Sequence, residues 1–209
     1  MPNAQRLQYQ GRNTREHLLM AASELMTREG TANVSLHAIV QHAGVTAPLV
    51  KYYFGSKEGL FIALAKRDTG RSIEQLRHLV ESKLDPVEKL RIHIHAITRT
   101  YSTYPYLNSL LNLLLRGEGS AAEELRDALV RPLADAQRQL LEEGVASGHF
   151  KPVEPELFYF LVIGACQYLF ATPVIASLLL RSEAIAPETA EHHADLVVEI
   201  VTNGLLRND

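Results

Sequence analysis

The chain has 209 residues, 46% of them hydrophobic and 22% charged, with a formal net charge of −3. That length can hold one large or two small domains and bury a sizeable core, and the composition is that of a soluble globular protein rather than a disordered or fibrous one. One cysteine, Cys166, excludes an internal disulfide framework and a thiolate metal cluster and suits a reducing cytoplasm, while the absence of any apolar run of about 18 residues argues against a membrane span.

The charge is unevenly spread. Residues 1–70 carry eight Lys/Arg against five acids, a balance of +3, whereas residues 71–209 carry −6. A basic head on an acidic body is what a protein needs when one end faces phosphate.

Residues 1–12 are polar and aperiodic, hold Arg6 and Arg12, and have no apolar core of the secretory-signal kind. They read as a flexible N-terminal segment, either a disordered tail or an arm lying along DNA. A first helix is expected to open at Asn13, with Glu16 as the reciprocal partner of a capping box. Leu18, Leu19, Ala22, Leu25 and Met26 form its buried stripe, and Gly30 ends it.

The stretch SLHAIVQHAGVTAPLVKYYFGSKE, from Ser35 to Glu58, reads as two short helices joined by a glycine turn, followed by a third helix start. Ser35 is placed to cap the first, and Leu36, Ile39, Val40 and Ala43 form its buried side. Gly44 turns the corner through positive φ, Val45 plugs it, and Thr46 is placed to cap the second helix with Pro48 in its first turn. At 100° per residue, Val50, Tyr53 and Phe54 share one side with Thr46, while Ala47, Pro48, Lys51 and Tyr52 share the other. Small leading residues followed by a cation and a phenol suit a helix that enters a major groove about 12 Å wide. Alone, the same pattern also fits an ordinary αα-corner with a solvated outer face. Ser56 caps the next helix, whose first turn holds Glu58 and the electrostatically mismatched Lys57; a phosphate at that N-terminus would resolve the mismatch.

At this point the run TREHLLMAASELMTREG…VSLHAIVQHAGVTAPLVKYYFGSKEGLFIALAKR resembles the N-terminal domain of the TetR family of bacterial transcriptional regulators over roughly residues 13–67. The resemblance rests on the first-helix stripe, the AGV turn, the aromatic pair before Phe54 and the SKEGL helix start. It implies an all-α, dimeric protein whose helix-turn-helix (residues 35–54) lies in a DNA-binding domain (13–67). A helical effector-binding and dimerisation domain (68–209) would follow. It further implies that Tyr52 and Lys57 meet phosphate, that Thr46, Ala47 and Pro48 lead the recognition helix into the groove, and that outward-facing His37 reaches a base or phosphate. Leu49 and Lys51 depart from the family's usual residues, so base preference does not transfer; Lys51 suits either guanine O6/N7 or phosphate.

Beyond residue 67 the pattern is helical throughout. Asp85, Pro86 and Glu88 announce a helix running towards Tyr104. A leucine-rich segment follows Pro105, and a long helix from Ser120 to about Ser147 should kink at Pro132. Glu154–Leu180 is apolar all round and should bend at Pro173; Pro187 opens a last helix lined by Ala194, Val197, Val198, Val201 and Leu205. In the family such final helices pair into a four-helix dimer interface; the apolar load of the two helices supports that placement, with a monomeric core as the alternative.

Candidate effector contacts are His93, Tyr101, Tyr104, Asn108, Asn112 and Arg116 from the middle helices, with Phe160, Gln167, Tyr168 and Phe170 from the penultimate one. No metal or cofactor site is expected, because His93/His95 and His192/His193 diverge on a helix. No catalytic motif is present, and Glu123/Glu124 and Glu142/Glu143 read as solvated faces. The expected function is therefore a cytoplasmic, ligand-responsive repressor that binds a palindromic operator in double-stranded DNA as a homodimer. The alternative is a helical protein-interaction module without DNA binding, and steep salt dependence of DNA retention separates the two.

Overall fold

The computed structural model describes residues 3–117 and 119–206, with side chains described from Thr14 onward except at position 121. Its helices are α1 (Asn3–Glu29), α2 (Leu36–His42), α3 (Ala47–Phe54), α4 (Lys57–Glu81), α5 (Pro86–Thr103), α6 (Leu107–Leu115), α7 (Ser120–Leu125), α8 (Arg131–Ala146), α9 (Pro155–Ala171), α10 (Pro173–Leu180) and α11 (Pro187–Leu205). An isolated antiparallel bridge between Phe150 and Leu206 is the only extended pairing among the described residues.

Helix α1 starts ten residues before the expected capping box, so residues 3–12 are helical backbone rather than a flexible arm; residues 1–2 lie outside the described residues. Ala, Gln, Arg and Leu in this stretch favour helix, and Gly11 costs only about 1 kcal/mol. The expected stripe is buried, with Leu18, Ala22 and Met26 fully so. Gly30, at φ +63°, closes the helix, and the Thr31 amide donates back to the Met26 carbonyl at 3.2 Å.

Two layers of core follow. The head core joins the α1 stripe to Val34, Ile39, Val40 and Val50 and to Leu60, Phe61, Leu64 and Ala65 of α4. It also takes in Tyr106, just ahead of α6, Leu110 and Leu114 of α6, and Leu125 and Leu129 beyond it. The body core groups Leu90, Ile94 and Ile97 of α5 with Phe158, Val162 and Cys166 of α9 and with Val197, Val201 and Leu205 of α11. Helix α4, with 25 residues and a length of about 37 Å, passes from one to the other without interruption through position 67.

The prolines act as expected, with sharper consequences. The Asp85 side chain accepts from the amides of Val87 and Glu88 at 2.9 and 3.1 Å; Glu88 turns away from the cap and pairs with Arg91. The expected long helix from Ser120 is not continuous, since Arg126–Val130 forms a π-helical turn between α7 and α8. Pro132 cannot donate to the Ala128 carbonyl and its ring crowds it, so the helix widens just before the proline. Pro173 breaks the apolar segment outright into α9 and α10, bent by 77°. Among the described residues no single helix is long and apolar enough to cross a membrane.

Three of the four acids read as solvated have partners, Glu124 through Lys66 at 2.5 Å. Glu123 pairs with Arg126 and Arg131, and Glu143 holds Lys89, whose side chain is almost fully buried, at 2.7 Å. The Lys89 ammonium also donates to the Val80 carbonyl at 2.8 Å, tying α4, α5 and α8 together.

Candidate nucleic-acid interface and effector cavity

The head presents α3 on a short, well-fastened stem. The Ser35 hydroxyl accepts from the Ala38 amide at 3.0 Å, Gly44 turns at φ +65°, and the buried Val50 anchors α3. The opposite side of α3 is open: Ala47, Pro48, Lys51 and Tyr52 are exposed, Tyr52 at 79%. Thr46 and, on α2, His37 are also exposed. Thr46 occupies the cap position of α3 but its hydroxyl makes no cap bond, contrary to expectation; the Leu49 amide, the donor such a cap would serve, bonds the Thr46 carbonyl at 3.0 Å instead. Tyr53 and Phe54 pack inward against the head core, as the helical projection requires.

Helix α4 starts where it must. The Ser56 hydroxyl accepts from the Gly59 amide at 2.9 Å. Lys57 is half-buried with its ammonium over the Phe61 ring, 5.1 Å from the centroid, so the cation is steered by a cation–π contact. Neither Lys51 nor Lys57 has an acidic partner among the described residues. Arg15, which sequence reasoning passed over, lies over the Phe54 ring at 5.1 Å and adds a third cation to this end of the head. Gly59 was also missed: a Cβ there would stand 2.0 Å from the Phe54 carbonyl oxygen, so only glycine lets α3 and α4 approach this closely.

In the body a cavity of about 620 Å³ lies between α4, α5, α6, the π-turn with the start of α8, and α9, within the range of small-molecule sites. Of the expected effector contacts, His93, Tyr101, Asn108, Asn112, Phe160 and Gln167 line it. Tyr104, Arg116 and Tyr168 do not. Tyr104 packs between the two cores, edge-on to Tyr106; Arg116 follows the last turn of α6, exposed; Tyr168 is 58% exposed on another face of α9. Phe170 is buried in the body core. An all-apolar helix such as α9 has no amphipathic phase, so which residue turns inward is not legible from spacing.

The lining that sequence reasoning missed includes Ser72 of α4, Arg99 and Thr100 of α5, and Tyr159 of α9. Arg99 follows Arg91 and His95 at four-residue intervals, a signal that helical spacing could have supplied. The Ser72 and Thr100 hydroxyls bond across the α4–α5 wall at 2.8 Å.

Deep in the wall, His93 is 2% exposed and its Nε2 lies 2.9 Å from Gln137 Nε2, an arrangement that makes the ring the acceptor and the imidazole neutral. Burial pushes its pKa from the ordinary 6.5 down to about 4. The unfolded chain takes up this proton near 6.5 and the folded chain only near 4, so His93 stabilises fully above 6.5 and loses that contribution as pH falls through the window. The loss is worth roughly 3 kcal/mol. Urea unfolding measured from pH 7 to 4 should therefore fall more gently for His93→Gln than for the parent; equal slopes would mean that this histidine is not the titrating group.

A polar bridge joins head and body. The Tyr106 hydroxyl donates to Asp68 Oδ2 and lies 2.8 Å from the Ser23 hydroxyl of α1, and Arg67 grips Asp68 Oδ1 at 2.7 Å while reaching Glu16 at 3.3 Å. Burial raises the Asp68 pKa, partly offset by Tyr106 and Arg67; burial and the neighbouring carboxylate raise that of Tyr106. The Ser109 hydroxyl accepts from the Ala32 amide at 3.0 Å, fastening α6 to the α1–α2 turn. Helix α6 thus has two faces: Leu107, Asn108 and Leu111 towards the cavity, and Ser109, Leu110 and Leu114, with Tyr106 at the helix's N-cap, towards the head.

Comparison with known proteins agrees with this architecture. Residues 18–64 match the family described as "Bacterial regulatory proteins, tetR family", and residues 83–209 match "Tetracyclin repressor-like, C-terminal domain". The HTH-type transcriptional regulator RutR of Escherichia coli K12 is 26% identical over 187 residues, covering 87% of each chain. The HTH-type transcriptional repressor NicS of Pseudomonas putida is 27% identical over 164 residues, covering 77% of each. The crystal structure of the regulator FadR from Bacillus subtilis, in complex with stearoyl-CoA, superimposes with a TM-score of 0.70 at 21% identity, covering 90% of this chain and 98% of that one. The head, its α3 helix and the helical body that α4 joins to it are those of a helix-turn-helix transcriptional regulator, and the chain belongs to the TetR family.

Proposed function

We propose that this regulator is a repressor that binds a palindromic operator as a homodimer and is governed by a small molecule in the α4–α9 cavity. The observation that carries the reading is α4 itself. Its first turns hold Lys57 and pack against α3, while its later turns, from Thr69 to Leu79, line the cavity. A ligand that favours a different α4 position shifts the population away from the DNA-binding arrangement, with α6 as the second lever. The stearoyl-CoA complex of the Bacillus subtilis regulator supports assigning the cavity to an effector.

Homodimerisation is supported by the exposed apolar faces of α9 and α11, where Leu157, Leu161 and Tyr168 are 62, 57 and 58% exposed and Ile200 is 63% exposed. One eight-residue α3 reads few base pairs; two related by a twofold axis read half-sites about 34–36 Å apart, or a multiple. On this reading the protein works in the cytoplasm.

In the head, Ala47 and Pro48 enter the groove with Thr46 at the helix start, Tyr52 and Lys57 meet phosphate, and Lys51 and His37 lie within reach of bases or phosphate. Selecting bound DNA from a random pool at low salt should enrich a palindrome, with retention falling steeply as salt rises. A pool without enrichment would leave the helical interaction module as the better reading. Lys57→Ala should weaken all sequences about equally, whereas Lys51→Ala should relax preference at one position by about 1–3 kcal/mol if Lys51 reads a base. An unchanged preference would make Lys51 a phosphate contact.

A further inference from the structure

The cavity has a charge pattern that restricts its occupant. Its lining contains neither aspartate nor glutamate, so nothing in it neutralises a cationic ligand. Its two arginines, Arg91 and Arg99, stand with His95 in one row of α5, spanning about 12 Å of the rim. Arg91 is already held by Glu88, Nε to Oε2 at 2.9 Å, and His95 Nε2 stands 3.1 Å from Asp195 Oδ1, close to an acid although it makes no hydrogen bond. The exposed guanidinium of Arg99 has no ion-pair or hydrogen-bond partner among the described residues, which leaves one unmatched positive charge on the lining.

Behind the rim the wall is apolar, from Leu76 of α4 through Ile97 of α5 and Leu111 of α6 to Ile163 of α9. The Tyr101 and Tyr159 phenols, which form no hydrogen bond among the described residues, are its inner donors. Burial raises both of their pKa values, so they stay protonated at neutral pH.

We propose that the effector is a singly charged anionic amphipath, with an apolar body filling the cavity and one carboxylate or equivalent oxyanion held at the rim by Arg99. This rests on reading the cavity as the effector site. A cationic amphipath would meet Arg99 with no acid to offset it, and a neutral one would leave that guanidinium without its anion. A conjugate bearing several phosphates would bring more negative charge than the lining has free cations to receive.

Matched probes test the charge. 1-Anilinonaphthalene-8-sulfonate is N-phenyl-1-naphthylamine plus one sulfonate, and both fluoresce in an apolar site. The full-length protein should bind the sulfonate at least about tenfold more tightly than the amine, the size expected of one charge-assisted hydrogen bond. Arg99→Met should weaken the sulfonate about tenfold and leave the amine unchanged, and Arg99→Lys should restore most of the difference. Dodecanoate should displace the sulfonate at about tenfold lower concentration than dodecanol or dodecanoyl-CoA, and dodecyltrimethylammonium should not displace it. Ala96→Trp, which fills the cavity, should abolish both signals; a signal that survives it comes from the exposed faces of α9 to α11 and counts against the site.

Equal affinity for sulfonate and amine would overturn the proposal. So would tighter displacement by dodecanoyl-CoA than by dodecanoate, or an Arg99→Met variant that lowers both probes alike. Operator retention by the same preparation is read separately. Intact retention without probe selectivity sinks the ligand class alone, and probe selectivity without retention sinks the regulator reading alone.

Discussion

Replacing Asp68 with alanine should destabilise the protein by about 3–5 kcal/mol, the cost of breaking a buried, hydrogen-bonded charge pair. The Asp68 side chain is fully buried, receives the Tyr106 hydroxyl on one oxygen and the Arg67 guanidinium on the other, and links α1, α4 and α6 at the point where head meets body. Without it, a part-buried guanidinium and a buried phenol lose the acceptor they share, keeping only Glu16 and Ser23. Tyr106→Phe is the milder probe: the ring stays in the head core and only the hydroxyl goes, for about 1–3 kcal/mol. Urea midpoints of the two single variants and the double variant form a cycle, and the double should cost clearly less than the sum. Additive losses, or a loss below about 1 kcal/mol for Asp68→Ala, would show that the bridge does not hold the two halves together. The same residues join the cavity-facing helix to the head, so the variants should also weaken the coupling between probe binding and DNA release.

The second large effect is expected at Gly59. Its missing Cβ is the space in which α3 meets α4: a Cβ would lie 2.0 Å from the Phe54 carbonyl oxygen and 3.2 Å from its carbon, both backbone atoms that cannot swing aside. Gly59→Ala must push α3 away from α4, at a cost of about 3 kcal/mol, the upper part of the overpacking range. Because α3 carries the residues proposed to enter the groove, DNA retention by the folded variant should drop at least about tenfold, measured below its melting transition. Gly44→Ala is the control, since nothing lies within 4 Å of its Cβ and the substitution strains only a positive-φ turn, for about 1 kcal/mol. If Gly59→Ala melted and bound DNA like the parent, the close approach of the two helices would have no functional weight.

Much of the head was legible in the residues because its signals are local. Ser35 and Ser56 make their cap bonds, and Gly30, Gly44 and Gly55 take the positive φ that their positions demand. Val50 is buried and Tyr52 exposed as a 100° projection requires, since helix phase survives in a sequence that alternates apolar and polar faces. Where that alternation fades, so did the reading. Thr46 has the cap position without the cap bond. The expected effector contacts on α9 were mixed, Phe160 and Gln167 on the cavity lining and Tyr168 off it, because an all-apolar helix does not encode which way it turns.

By itself, the sequence determined the helix-turn-helix, the order of the helices and the places where proline would interrupt them. These depend on neighbours within a turn or two of the chain. Only the tertiary structure decided the rest: the π-turn ahead of Pro132, the burial of Lys89 against Glu143, the Asp68–Tyr106 bridge, and the convergence of five segments on one cavity with Arg99 at its rim. All but the π-turn join residues far apart in the chain. Their pairing is set by how α4, α5, α6 and α9 pack, and that packing leaves no periodicity for the sequence to display.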